Sequence, residues 1–110
     1  MDKVLLENAY RVFAKYPKHL APTVASFEAD IALRKRVKSA RLPALSCDDV
    51  AVVFWNATGD ERSIKHFLPR VLECIGCGAI LPADVRAKLR AFSFESWPEE
   101  ERAVVESLCK

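Results

Sequence analysis

Hydrophobic residues recur with a helical period along the whole chain. Val4, Leu5, Leu6, Ala9, Val12, Phe13 and Tyr16 follow a 3.6-residue repeat, predicted to end at Pro17 because proline cannot continue a helix. A second helix is predicted over about residues 23–39, with Val24, Phe27, Ile31 and Val37 as its buried stripe. Arg34, Lys35, Arg36, Lys38 and Arg41 crowd its end, where cations suit the negative pole of the helix dipole. Ser46 reads as an N-cap, with Asp48 and Asp49 in the first turn that follows. Val50, Val53, Phe54 and Ala57 then form the inner face of a third helix, and Gly59 supplies its stop. Val52-Val53-Phe54-Trp55 has strand propensity, but the flanking cap and stop favour a helix.

The segment Asp60 to Ile75 is a fourth helical region with a proline inside it. In one straight helix Pro69 would remove the hydrogen bond to the Lys65 carbonyl and crowd it, costing ~3 kcal/mol. A short turn over 61–67 leading into a helix with Pro69 in its first turn is therefore expected, ended by Gly76 and Gly78. Pro82-Ala83-Asp84 opens a fifth helix carrying Val85, Leu89 and Phe92. Trp97-Pro98-Glu99-Glu100-Glu101 opens a sixth, with proline at its first position, three acids at its positive pole, and Val104, Val105 and Leu108 as buried residues. The predicted architecture is all-α: one domain spanning 1–110, a bundle of about six short helices.

Composition agrees. A chain of 110 residues suits a single domain with one core and no obligatory staples. Three glycines are too few for a Gly-rich phosphate loop or a turn-rich β fold. No apolar run reaches the ~20 residues of a membrane span. The start, with Asp2 and Glu7 and without a small-residue cleavage site, does not read as a signal peptide. A cytoplasmic location follows, and with it the expectation that the four cysteines are thiols rather than a disulfide framework. Charge is uneven: residues 1–46 carry nine basic and four acidic residues, residues 47–110 eight and eleven. The halves could attract each other, or the basic half could face an acidic partner.

Several short elements occur together in a fixed order: Phe13-Ala14-Lys15-Tyr16-Pro17, Leu45-Ser46 through Asp49, Thr58-Gly59-Asp60, the octet His66-Phe67-Leu68-Pro69-Arg70-Val71-Leu72-Glu73, Lys88-Leu89, and Trp97-Pro98 with Glu101 following. On these the chain resembles a family of poorly characterised bacterial helical proteins. In size and character such proteins are similar to immunity proteins of polymorphic toxin systems, and the resemblance implies a cognate toxin as partner. Relatives carry a Cys-x-x-Cys soon after the Tyr-Pro element. Here that stretch is His19-Leu20-Ala21-Pro22-Thr23-Val24, so a metal role tied to it does not carry over.

The chemistry-bearing residues are sparse. Cys74-Ile75-Gly76-Cys77 is a lone Cys-x-x-Cys; structural zinc needs four ligands, so Cys47, Cys109, His19 or His66 would have to converge on it. Redox chemistry prefers such a pair at a helix N-terminus, and this one stands at a helix end; buried or incidental cysteines are the simpler reading. His66 lies near Asp60, Glu61 and Lys65, but no nucleophile or oxyanion loop stands beside it. Arg70 and Glu73, three apart, read either as an intramolecular brace near Pro69 or as a recognition surface. Arg34, Lys38 and Arg41 share a face that could meet solvent, phosphate or an acidic protein; without interleaved aromatics the stripe argues against nucleic acid. The acids of the predicted first turns are explained by capping. Trp55 and Trp97 read as core anchors, and an exposed Trp55 would instead mark a binding surface.

The expected function is a non-catalytic protein-binding domain, an immunity protein held to a cognate toxin, needing no cofactor and no metal. The candidate contact residues are Arg34, Lys35, Lys38, Arg41, Trp55, Asp60, Glu61, His66 and Arg70. The competing expectation is a small metal- or nucleic-acid-binding regulator that uses Cys74, Cys77 and a histidine.

Overall fold

Six α-helices and two 3-10 turns make up the regular structure, and no strand occurs among the described residues. The structure is a computed structural model and describes residues 3–18, 28–56 and 60–109. The helices are α1 (Lys3–Phe13), α2 (Glu28–Ser39), α3 (Cys47–Asn56), α4 (Glu61–Gly76), α5 (Pro82–Ala91) and α6 (Glu99–Leu108). The turns are Leu42–Ala44 and Phe94–Ser96. The fold is all-α, as its periodicity predicts.

α4 is the centre of the bundle. It packs against α1 and α3, α1 in turn packs on α6, and α5 rests against the Phe94–Ser96 turn. Ile64, Phe67, Leu68, Val71, Leu72 and Cys74 of α4 are fully buried. Around them stand Phe13 of α1, Val37 of α2, Val50, Val53 and Phe54 of α3, Leu89 of α5 and Val105 of α6.

The local stop and start signals are realised. The Ser46 hydroxyl accepts from the Asp49 amide at 3.0 Å, and the Asp60 carboxylate accepts from the Ser63 amide at 2.8 Å, opening α3 and α4. α4 ends in a paired closure: the Gly78 amide donates to the Ile75 carbonyl and the Ala79 amide to the Cys74 carbonyl, with Gly78 at φ +80°. Pro82 opens α5, and Pro98 is the cap residue just before α6.

Four expectations need correction. α4 runs unbroken through Pro69, which is buried inside it, instead of forming a turn and a separate helix. Each large aliphatic or aromatic side chain buried on α4 contributes roughly 1.5–3 kcal/mol, so the set on both sides of Pro69 outweighs a proline penalty of about 3 kcal/mol. The first helix stops at Phe13, four residues before Pro17, and its start is not core: Val4 is 73% exposed, and the buried residues are Ala9, Val12 and Phe13. In α2 the buried residues are Leu33 and Val37, while Ile31 is 52% exposed. Val24 and Phe27, with the predicted start of that helix, lie outside the described residues, as do Ala57 and Gly59. Finally, two cysteines are not thiols: Cys47 at the start of α3 and Cys74 near the end of α4 form a disulfide, their Cα atoms 5.7 Å apart. Helix packing brings together two residues that sequence spacing leaves 27 apart. No helix among the described residues is long and apolar enough to cross a membrane.

Candidate functional site

Two constellations stand out, one buried and one open to solvent. The buried one centres on Lys65 and Glu101. Glu101 stands in the first turn of α6, as expected, and its side chain is fully enclosed, which the sequence did not indicate. Lys65 Nζ lies 2.7 Å from Glu101 Oε1, off the angle of a good hydrogen bond, so that oxygen is ion-paired rather than hydrogen-bonded. The Tyr16 hydroxyl donates to the other oxygen, Oε2, and Lys15 Nζ stands 3.5 Å from it. The Lys65 ammonium also donates to the Tyr16 hydroxyl at 3.3 Å and lies 5.0 Å from the Tyr16 ring centre and 4.5 Å from that of Trp97. Burial and the Glu101 hydrogen bond push the Tyr16 phenol up to about 12, so it remains a donor at neutral pH. Cation, carboxylate and two rings thus satisfy one another and tie the α1 turn, α4 and α6 together.

The same turn holds His66. Its Nδ1 lies 2.9 Å from the Tyr16 carbonyl, its Nε2 is buried without a partner, and burial lowers its pKa below the ordinary 6.5. The neutral ring with its proton on Nδ1 fits these surroundings. Nearby, Arg70 is a brace: Nε donates to the Leu45 carbonyl at 2.8 Å and Nη1 to Glu73 at 2.5 Å. The Tyr10 hydroxyl donates to the same Glu73 oxygen at 2.9 Å, so α1 and α4 meet at one carboxylate and Arg70 links it to the segment before α3. Burial and Glu73 together raise the Tyr10 pKa far above its ordinary value. Asp60 caps α4, and Glu61 lies 4.0 Å from Lys65. The candidates Asp60, Glu61, His66 and Arg70 therefore have identifiable intramolecular partners.

The open constellation centres on Trp55, which is 37% exposed at the end of α3. Its ring meets Phe54 edge-on, with centres 5.0 Å apart, while Phe54 itself is fully buried. Val52, one turn earlier, is also exposed. Trp55 borders a shallow cleft of about 630 Å³ shared with Asp84, Ala87, Lys88, Ala91 and Phe92 of α5 and its end. Lys88 Nζ donates to the Trp55 carbonyl at 3.2 Å and lies 5.4 to 5.9 Å from the ring centres of Phe54, Trp55 and Phe92. Partial burial lowers its pKa. Sequence alone did not single out Lys88 or Phe92 as companions of Trp55; their only signals were the Lys88-Leu89 element and the apolar period of α5.

The basic stretch flanks α3 at its other end. Arg36 makes a two-pronged pair with Asp49, at 2.8 and 3.0 Å, which holds the end of α2 against the first turn of α3. The Arg36 hydrogen bonds lower the Asp49 pKa from its ordinary value. Lys35, Lys38 and Arg41 are exposed, and Arg34 is half-buried. Trp55 lies six residues beyond Asp49, roughly 9 Å along the helix axis at 1.5 Å per residue.

Among the described residues no group of three His, Cys, Asp or Glu side chains is placed to hold a metal ion. The Cys-x-x-Cys is divided: Cys74 is in the disulfide, Cys77 is an exposed thiol, and Cys109 is a buried one. In comparisons with known proteins, no family model, no curated sequence and no solved structure matches the chain.

Proposed function

We propose that this protein is a non-catalytic protein-binding domain, and specifically an immunity protein that binds and neutralises a cognate bacterial toxin. The observation that carries the reading is Trp55: a half-buried aromatic, backed by the buried Phe54, beside a cleft whose central lysine is partly desolvated. Large aromatics in such settings dominate binding energy at protein interfaces. Lys35, Lys38 and Arg41, exposed near the other end of α3, would steer an acidic partner onto this face. The toxin as the specific partner rests on the sequence resemblance. His66, oriented by a main-chain carbonyl and with a lowered pKa, fits a packing role better than proton transfer.

Copurification with the tagged protein tests this, with and without added salt. A toxin-like partner held at 1:1 is expected. Trp55→Ala should weaken the complex by about 30-fold or more, equivalent to about 2 kcal/mol, with little change in Tm. Recovery of nucleic acid or metal without a protein partner, or turnover of a substrate that His66→Ala abolishes, would overturn the reading.

A further inference from the structure

A disulfide joins α3 to α4, and a third cysteine stands three residues beyond its α4 end. Cys47 and Cys74 are bonded, while Cys77, the residue that caps the end of α4, carries an exposed thiol. Cys77 keeps right-handed helical backbone angles, φ −86° and ψ −2°. Cys74 and Cys77 are therefore spaced as i and i+3 of one helix, with Cα atoms about 5 Å apart by helix geometry. That separation lies within the range a disulfide spans, as does the 5.7 Å between Cys47 and Cys74. The Cβ atoms of such a helical pair lie about 5–6 Å apart, wider than the roughly 3.5–4.5 Å of a disulfide, so Cys77 comes within bonding reach of Cys74 when the last turn of α4 opens.

We propose that Cys77 is an exchange thiol for the Cys47–Cys74 disulfide. Deprotonated by solvent, the Cys77 thiolate attacks Cys74 Sγ. The Cys77–Cys74 bond forms, the Cys74–Cys47 bond breaks with its electron pair leaving on Cys47 Sγ, and Cys47 takes up a proton from water. One disulfide and one thiol are present before and after, so no outside oxidant or reductant takes part. Cys74 is fully buried, so attack proceeds through opening of the last turn of α4, which begins only two residues beyond it to give way to loop. The product closes a small ring at the end of α4 and unlinks α3 from α4. The staple between the two helices is in this way reversible from an exposed residue. This inference is independent of the proposed partner.

Sequence makes the two isomers separable. Trypsin cuts after Arg41, Arg62, Arg70 and Arg86, placing Cys47 in the peptide 42–62 and both Cys74 and Cys77 in the peptide 71–86. The full-length protein is purified without reductant, incubated anaerobically at neutral pH and at about pH 8.5, because exchange runs through the thiolate, then acid-quenched, alkylated and digested. The expected result is peptide 71–86 with an internal disulfide, together with alkylated 42–62, in amounts that increase with pH. Cys77→Ser, an exposed replacement, should give only the 42–62 to 71–86 cross-link, with Cys47 labelled at least about tenfold less than in the wild type. The proposal is overturned if wild type and Cys77→Ser give the same cross-linked product at both pH values. It is equally overturned if Cys77→Ser, after mild oxidation, contains no disulfide between these peptides.

Discussion

Lys65 shows how one residue can organise a core by carrying charge into it. An ammonium and a carboxylate without partners would each incur several kcal/mol of desolvation, so Lys65 and Glu101 are stable inside only as a pair. Lys65→Met should therefore destabilise the fold by about 3–5 kcal/mol in urea denaturation, because Glu101 is left enclosed with only the exposed Lys15 as a cation. Lys65→Met combined with Glu101→Leu should recover much of that loss; strict additivity of the two single losses would show that the charges do not act as a pair. His66 gives the pH counterpart. Its folded pKa lies below the ordinary 6.5, so just below that value the unfolded chain binds a proton that the native chain does not. Stability contributed by the neutral ring is present above pH 6.5 and is lost as the pH falls toward the folded pKa. The fall in Tm between neutral and mildly acidic buffer should be smaller in His66→Gln than in the wild type, and equal slopes would remove this account.

At the level of elements, α4 sets local and global preferences against each other. Its first turn follows the local rule, with Asp60 as cap, and its last turn does so too, with Gly78 in the left-handed region. Its middle does not, because the core holds both halves on one axis through Pro69. A Cβ at Gly78 would meet nothing within 4 Å, so Gly78→Ala tests backbone strain alone. It should cost about 1–2 kcal/mol by denaturant titration, with no change in the denaturant slope. The end of α2 shows a different override. Its carbonyls are capped from outside the helix, by Lys18 Nζ donating to the Val37 and Lys38 carbonyls at 2.9 and 3.3 Å and to that of Ala40 just beyond, while several of its own terminal cations face solvent.

Across the whole molecule, the charge imbalance between the two halves is partly used internally. Arg36–Asp49, Arg11–Glu100 and Lys15–Glu101 each join a base from residues 1–46 to an acid from residues 47–110. Lys35, Lys38 and Arg41 stay exposed, which leaves the basic surface that the proposed partner would meet. The disulfide links α3 to α4 across a sequence separation of 27. Constraining a loop of that length stabilises a fold by about 3–4 kcal/mol on the chain-entropy account. Reduction, or Cys47→Ala, should lower the unfolding free energy by about that amount, read as a lower urea midpoint. An unchanged midpoint would mean that the bond does not form in solution.

What the sequence determined by itself is what neighbouring residues can settle among themselves. The helical period, the cap at Ser46, the stop at Gly78 and the start at Pro82 act within about one helical turn, and each is found where it was read. The Arg70–Glu73 brace was legible for the same reason, as an i, i+3 pair. Trp55 was legible as a candidate, but whether it faced the core or solvent was not, because its environment is built by α5. Only tertiary structure decided that Lys65 meets Glu101 and Tyr16, that Cys47 meets Cys74, that Lys88 joins Trp55, and that α4 continues through Pro69. The physical reason is common to all four. A burial or a bond between residues tens of positions apart depends on which helices pack together, and that packing depends on the sum of many buried side chains, to which no local window of the sequence has access.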